Sequence, residues 1–121
     1  MIIKSFEIRK KKFDKQNFFL VYGENEGLKK EITETLKKGF DGEKEIIDEA
    51  NVLKNTDLFY EKLFNQSLFG SEKVITINRC SDKIFEIVEN IIKKNISDIK
   101  IILIADVLEK KSKLRKLFET N

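Results

Sequence analysis

The chain has 121 residues, 40% of them hydrophobic and 37% charged, and its 24 Lys and Arg against 21 Asp and Glu leave a formal net charge of +3. A single domain of this size buries a core without disulfides or metal, the near balance of charge speaks against wholesale wrapping of nucleic acid, and the lack of histidine removes Ser-His and Cys-His catalysis and most zinc sites. No window approaches the roughly 18 consecutive apolar residues of a membrane span, and Lys4, Glu7, Arg9 and Lys10 break up the N-terminus as a signal segment, so a cytoplasmic protein is expected.

In chain order, Ile2-Ile3 reads as a short edge strand, and Ser5 as the cap of a brief helix carrying Phe6 and Phe13, with the basic run Lys10-Lys11-Lys12 as a solvated face. Phe18-Phe19-Leu20-Val21-Tyr22 is a continuous apolar run of strand length that ends in Gly23, the pattern of a strand covered on both faces in a parallel sheet. Leu28, Ile32, Leu36 and Phe40 then recur every four residues, an amphipathic helix capped by Asn25 or the nearby acids and closed by Asp41-Gly42. Strand, glycine turn and helix make the opening of a βα unit.

Glu43 to Asp48, with Ile46-Ile47, is a weaker strand candidate. Val52, Leu53, Leu58, Phe59, Leu63 and Phe64 fit one or two helical pieces, the second opening at a Thr56-Asp57 cap. Lys73 to Asn78 is a second strand, and Ser81-Asp82 caps a helix whose apolar positions Ile84, Ile87, Val88, Ile91 and Ile92 fall three and four apart. Ile101 to Ala105 is a third buried strand, followed by a basic helix, Lys110 to Phe118, with Leu114, Leu117 and Phe118 inside. Strands alternating with helices predict one α/β domain over residues 1–121, with a mainly parallel sheet and right-handed crossovers. The lone Cys80 has no disulfide partner and reads as a small buried hydrophobe.

Between the second helical piece and the second strand, Asn65-Gln66-Ser67 and Gly70 frame a large apolar pair, Leu68-Phe69. Two readings are open. Burial statistics turn such a pair inward to staple the helix to the sheet; the polar and glycine framing turns it outward as a rigid apolar tip that enters a partner's pocket.

The loop after the first buried strand is where phosphate sits in such a fold, in a Gly-x-x-x-x-Gly-Lys-Ser/Thr loop whose backbone amides wrap the anion. Here that stretch is Gly23-Glu24-Asn25-Glu26-Gly27-Leu28-Lys29-Lys30. Leu28 replaces the second glycine, Lys30 replaces the hydroxyl that would reach magnesium, and Glu24 and Glu26 bring the wrong charge; only Lys29 matches. Asp106 stands where an NTPase places its magnesium aspartate, but Val107 takes the place of the catalytic glutamate. No catalytic residue, metal site or cofactor is assigned.

The strand-turn-helix from Phe18 through Lys29, the segment Ser67-Leu68-Phe69-Gly70 before an apolar strand, and Leu108-Glu109-Lys110-Lys111-Ser112-Lys113-Leu114 resemble, in order over nearly the whole chain, the N-terminal domain of the delta subunit of the bacterial DNA polymerase III clamp loader. The resemblance implies a three-layer P-loop NTPase or AAA+-like domain with a degenerate nucleotide site, which binds the ring-shaped sliding clamp (the beta subunit) and helps open it for loading onto primed DNA. It also implies that Leu68 and Phe69, flanked by Gln66 and Ser67, enter a hydrophobic pocket on the clamp. On this reading the chain is no enzyme by itself but part of the polymerase III holoenzyme, touching DNA only weakly or indirectly. The family's lid and collar domains, which join the other loader subunits, have no counterpart in these residues, so a fragment of a longer chain is expected. The rival readings are a nucleotide-binding P-loop ATPase or kinase and a DNA-binding module using Lys10 to Lys12 and Lys110 to Lys116. The related delta-prime subunit carries a cysteine-rich zinc module that one cysteine cannot build.

Overall fold

Near-continuous β-branched runs cannot leave either face to water, and the chain folds accordingly into a sheet with helices on both sides. The computed structural model describes residues 2–4, 18–38, 43–68, 73–94 and 99–119. The elements are β1 (Ile2–Lys4), β2 (Phe18–Tyr22), α1 (Glu26–Lys37), β3 (Glu43–Asp48), α2 (Glu49–Lys54), α3 (Thr56–Leu68), β4 (Lys73–Cys80), a 3-10 turn (Asp82–Ile84), α4 (Phe85–Lys93), β5 (Ile99–Ala105) and α5 (Lys113–Glu119). The five strands lie in the order β1-β2-β5-β4-β3. Every neighbouring pair is parallel, so the sheet of the predicted α/β domain is parallel throughout these strands.

Side chains alternate between the faces of each strand, and the alternation divides the core. Leu20, Ile75, Ile77, Ile99, Ile101 and Leu103 face Val52 of α2, Phe59 and Leu63 of α3, Ile87, Val88 and Ile91 of α4, and Leu114 and Phe118 of α5. On the other face Phe19, Val21, Val74 and Ile102 meet Ile32 and Leu36 of α1. The edge strand β3 carries Glu43, Lys44 and Glu45 in its first half, charges that discourage pairing with a further strand.

β4 runs two residues further than its sequence pattern suggests, and it does so through a bulge. Ile77 pairs with Leu103 but Cys80 pairs with Ala105, so one extra residue is inserted on β4. Arg79 takes it up in the left-handed region at φ 57°. The insertion restores Cys80 to the face that holds Ile75 and Ile77, where it is buried and its thiol donates to the Ile77 carbonyl at 3.1 Å. Beyond the bulge, buried Glu49 accepts hydrogen bonds from the backbone and hydroxyl of Ser81, tying the start of α2 to the end of β4.

The caps differ from expectation in three places. Ser81 does cap the 3-10 turn, accepting from Lys83 N at 3.3 Å, but Asp82 turns away from that helix. Its carboxylate accepts from Ser112 Oγ at 2.6 Å, Lys113 N at 3.1 Å and Leu114 N at 3.2 Å. With Ser112 Oγ also accepting from Arg115 N at 3.2 Å, the leading amides of α5 are satisfied, and the helix begins at Lys113 and not at Lys110. Thr56 likewise does not cap α3 with its hydroxyl, which donates back to the Val52 and Leu53 carbonyls of α2. Leu58, one of the apolar positions of these helical pieces, is 63% exposed, because Phe59 and Leu63 already take the inner face of α3. The predicted helix near Ser5, Phe6 and Phe13, the Lys10–Lys12 run, Phe40 and Asp41-Gly42 lie outside the described residues.

The bonds from Ser112, Leu114 and Lys113 hold the Asp82 carboxyl below its ordinary value of 3.8. A depressed pKa adds stability above the unfolded value that is lost as the pH falls through the folded one. Asp82→Ala is therefore expected to cost about 1 kcal/mol at pH 7, with the gap from the parent closing below pH 4 in urea melts run from pH 7 to 3.

Candidate functional site

The chain leaving β2 enters α1 on one face of the sheet, and the chain leaving β5 reaches α5 on the other. β2 and β5 are neighbours, so the crevice beyond their carboxyl ends is a topological switch point, the place where open α/β sheets bind ligands. The degenerate phosphate loop lies at this crevice.

Gly23 adopts φ 141°, a backbone conformation that L side chains rarely take, although a Cβ there would meet nothing within 4 Å. The glycine thus serves the turn and not a close approach to a ligand. Its amide donates to the Asp106 carbonyl at 3.2 Å, joining the two strand ends. Asn25 then caps α1 as expected, its Oδ1 accepting from Leu28 N at 3.0 Å.

Lys29, the position that matches a phosphate-binding lysine, is only 3% exposed. Its ammonium donates to the Ala105 carbonyl at 3.1 Å and to Asp106 Oδ1 at 3.4 Å, and it pairs with Glu26 Oε1 at 2.8 Å. An ammonium has three donors, and all three are directed at groups of this chain. Glu26 also places a carboxylate in the first turn of α1, where a phosphate would meet the positive end of the helix dipole. Leu28 is half-buried against the core beneath α1, and Lys30 is exposed on the rim of a cleft of about 270 Å³ along that helix. The structure thus brings Gly23 and Lys29 together at the crevice, while Leu28 and Lys30 point elsewhere. The partners of Lys29 carry no local signal, since Asp106 lies far along the chain.

The second candidate region is the end of α3. Gln66, Ser67 and Leu68 form the last turn of that helix, and Phe69 lies outside the described residues. The helix is fastened to the sheet from within by Phe59 and Leu63. Polar contacts hold its flank: Lys62 pairs with Glu45 of β3, whose other carboxylate oxygen lies 2.7 Å from the ammonium of Lys73 on β4. Burial alone would raise the Glu45 carboxyl, but the two lysines outweigh it and hold the pKa below its ordinary value. These contacts join α3, β3 and β4 at one corner of the sheet.

Burial, with the nearby Glu49 charge, pushes the Cys80 thiol far above the ordinary range, the opposite of an activated thiolate. Among the described residues no cluster of His, Cys, Asp and Glu could hold a metal ion, and no helix is long and apolar enough to cross a membrane. Comparisons with protein-family models, curated proteins and solved structures returned no match for this chain.

Glu26 and Asp106 are largely exposed, so their ion pairs with Lys29 contribute little; the buried bond to the Ala105 carbonyl dominates. Lys29→Met is expected to destabilise the fold by about 1–3 kcal/mol, read as a lower urea midpoint with unchanged slope.

Proposed function

We propose that the chain is the N-terminal AAA+-like domain of a delta-type clamp-loader subunit, which binds the ring-shaped sliding clamp and helps open it without hydrolysing nucleotide. The observation that carries this reading is the internal saturation of Lys29 at the switch-point crevice, where every donor is met by Ala105, Asp106 or Glu26. The lysine at the phosphate-binding position is thus engaged by groups of this chain, which weakens the rival reading as an ATPase or kinase. The three-layer form expected of an AAA+-like domain is supported by a parallel sheet with helices on both faces.

What remains is a surface function, and the sequence Gln66-Ser67-Leu68-Phe69 supplies it at the carboxyl end of α3. Burying a leucine and a phenylalanine in a partner contributes about 1.5–3 kcal/mol each. That gain survives association costs best where the residues are presented in a fixed place, a reading supported by the anchoring of α3 as far as Leu63 through Phe59, Leu63 and the Lys62-Glu45-Lys73 contacts. No catalytic role follows for any residue, and the chain acts as part of a larger replicative assembly. Nothing in the described residues favours the DNA-binding alternative: the lysines of 110–116 that are described belong to the solvated flank of α5 and its entry turn.

The test is binding of the full chain to a bacterial sliding clamp by titration calorimetry. Leu68→Ala combined with Phe69→Ala is expected to abolish binding with an unchanged thermal midpoint, and labelled ATP with magnesium is expected not to bind the parent. Loss of the fold in the double variant would show that the pair is core, and ATP binding that Lys29→Met removes would return the crevice to the nucleotide reading.

A further inference from the structure

The sheet face beneath α1 holds a polar group that its own surroundings leave unanswered. Thr76 of β4 lies in register between Ile46 of β3 and Ile102 of β5, and it is only 2% exposed. Its hydroxyl is buried and has no hydrogen-bond partner among the described residues. Buried polar groups in native proteins are almost always paired with protein, water or a bound ion, so an orphan in this position calls for an occupant.

Lys37, in the last turn of α1, is only 8% exposed, and among the described residues no carboxylate or carbonyl takes its ammonium. Lys29 on the same helix is by contrast fully engaged. Lys37 and Thr76 both line the cleft of about 270 Å³ between α1 and the sheet. The helix wall of that cleft adds Lys30, and its floor adds the Asn78 amide and the apolar Ile46 and Ile104. Lys30 and Lys37 are two turns apart, about 10 Å along the helix axis, so a cation stands toward each end. Of the carboxylates on its border, Glu26 is already paired with Lys29, which leaves Glu34 against two ammoniums.

We propose that this cleft binds a small organic anion, a single carboxylate or phosphate group on a compact apolar body. Apolar walls with a few convergent polar groups are the usual make-up of a small-molecule site. Ile46 and Ile104 offer surface to the body, while Lys37, Lys30, Asn78 and the Thr76 hydroxyl offer donors to the acid. An excess of one positive charge suits one acidic group and not a triphosphate or a nucleic-acid backbone. The cleft is smaller than the roughly 300–1,000 Å³ of drug-sized pockets, which limits the body to about a single ring. The site is independent of the clamp reading, because it uses neither the end of α3 nor the ammonium of Lys29.

The experiment titrates the full chain with benzoate, with phenyl phosphate and, as the uncharged control, with phenol, following backbone amide shifts by NMR. The anions are expected to give saturable shifts along α1 and at Thr76 and Asn78, with phenol about tenfold weaker. Lys37→Met, which keeps an apolar stem in place of the lysine's, is expected to weaken the tighter anion about tenfold. Thr76→Val is expected to weaken it several-fold while raising the urea midpoint of the free chain, because the change removes an unpaired hydroxyl and keeps the branched shape. No saturable shift with either anion, equal affinity for phenol, or parental affinity in both variants overturns the proposal. If Lys37→Met fails to fold, Thr76→Val decides alone, parental affinity again overturning the site.

Discussion

A parallel sheet must be covered on both faces, and that constraint shapes this molecule more than any single contact. Its strands are rich in Ile, Val, Leu and Phe, so each face carries apolar area that water would penalise. The cover is uneven. Among the described residues α2 to α5 close one face, while α1 meets the other, and Ile46 of the edge strand is 62% exposed there. The anchored part of α3, with Phe59 and Leu63, belongs to the more thickly covered face.

The crevice at the carboxyl ends follows from the same topology but has been filled from within. In a working phosphate loop a lysine is kept for an anion that arrives; here Glu26 and Asp106 supply the anions and the Ala105 carbonyl the remaining acceptor. A cation this deeply buried would be costly without acceptors, and the buried bond to the Ala105 carbonyl, more than the two exposed carboxylates, meets that cost. The group that would have bound a ligand instead joins α1 to β5.

Much of the fold was legible because one-dimensional patterns carried it. The apolar runs at Phe18 to Tyr22 and Ile101 to Ala105 and the spacing of Ile84, Ile87, Val88 and Ile91 correspond to β2, β5 and the 3-10 turn with α4, and Asn25 is the cap that its position suggests. What escaped is tertiary. Asp82 lies beside Ser81 in the sequence and looks like part of the same local cap, yet it serves α5, thirty residues on. The bulge at Arg79 breaks a period-two pattern that otherwise runs through β4, and only the pairing of Cys80 with Ala105 exposes the extra residue. At the candidate site the loop's defects were visible as residue types, whereas the partners of Lys29 depend on β2 and β5 being neighbours, which no local pattern states. The cleft beneath α1 was hidden for a similar reason, since Lys37 and Thr76 line one cavity only once α1 is packed on the sheet.

The strand at the centre of the sheet, β5, comes latest in sequence among the five described strands, and it lies between β2 and β4. Until a ribosome has released it, those two strands have no neighbour on their inner sides, and each presents a row of bare amides and carbonyls to whatever is nearby. Pairing a late segment between two earlier ones is non-local, the kind of contact that slows folding in general.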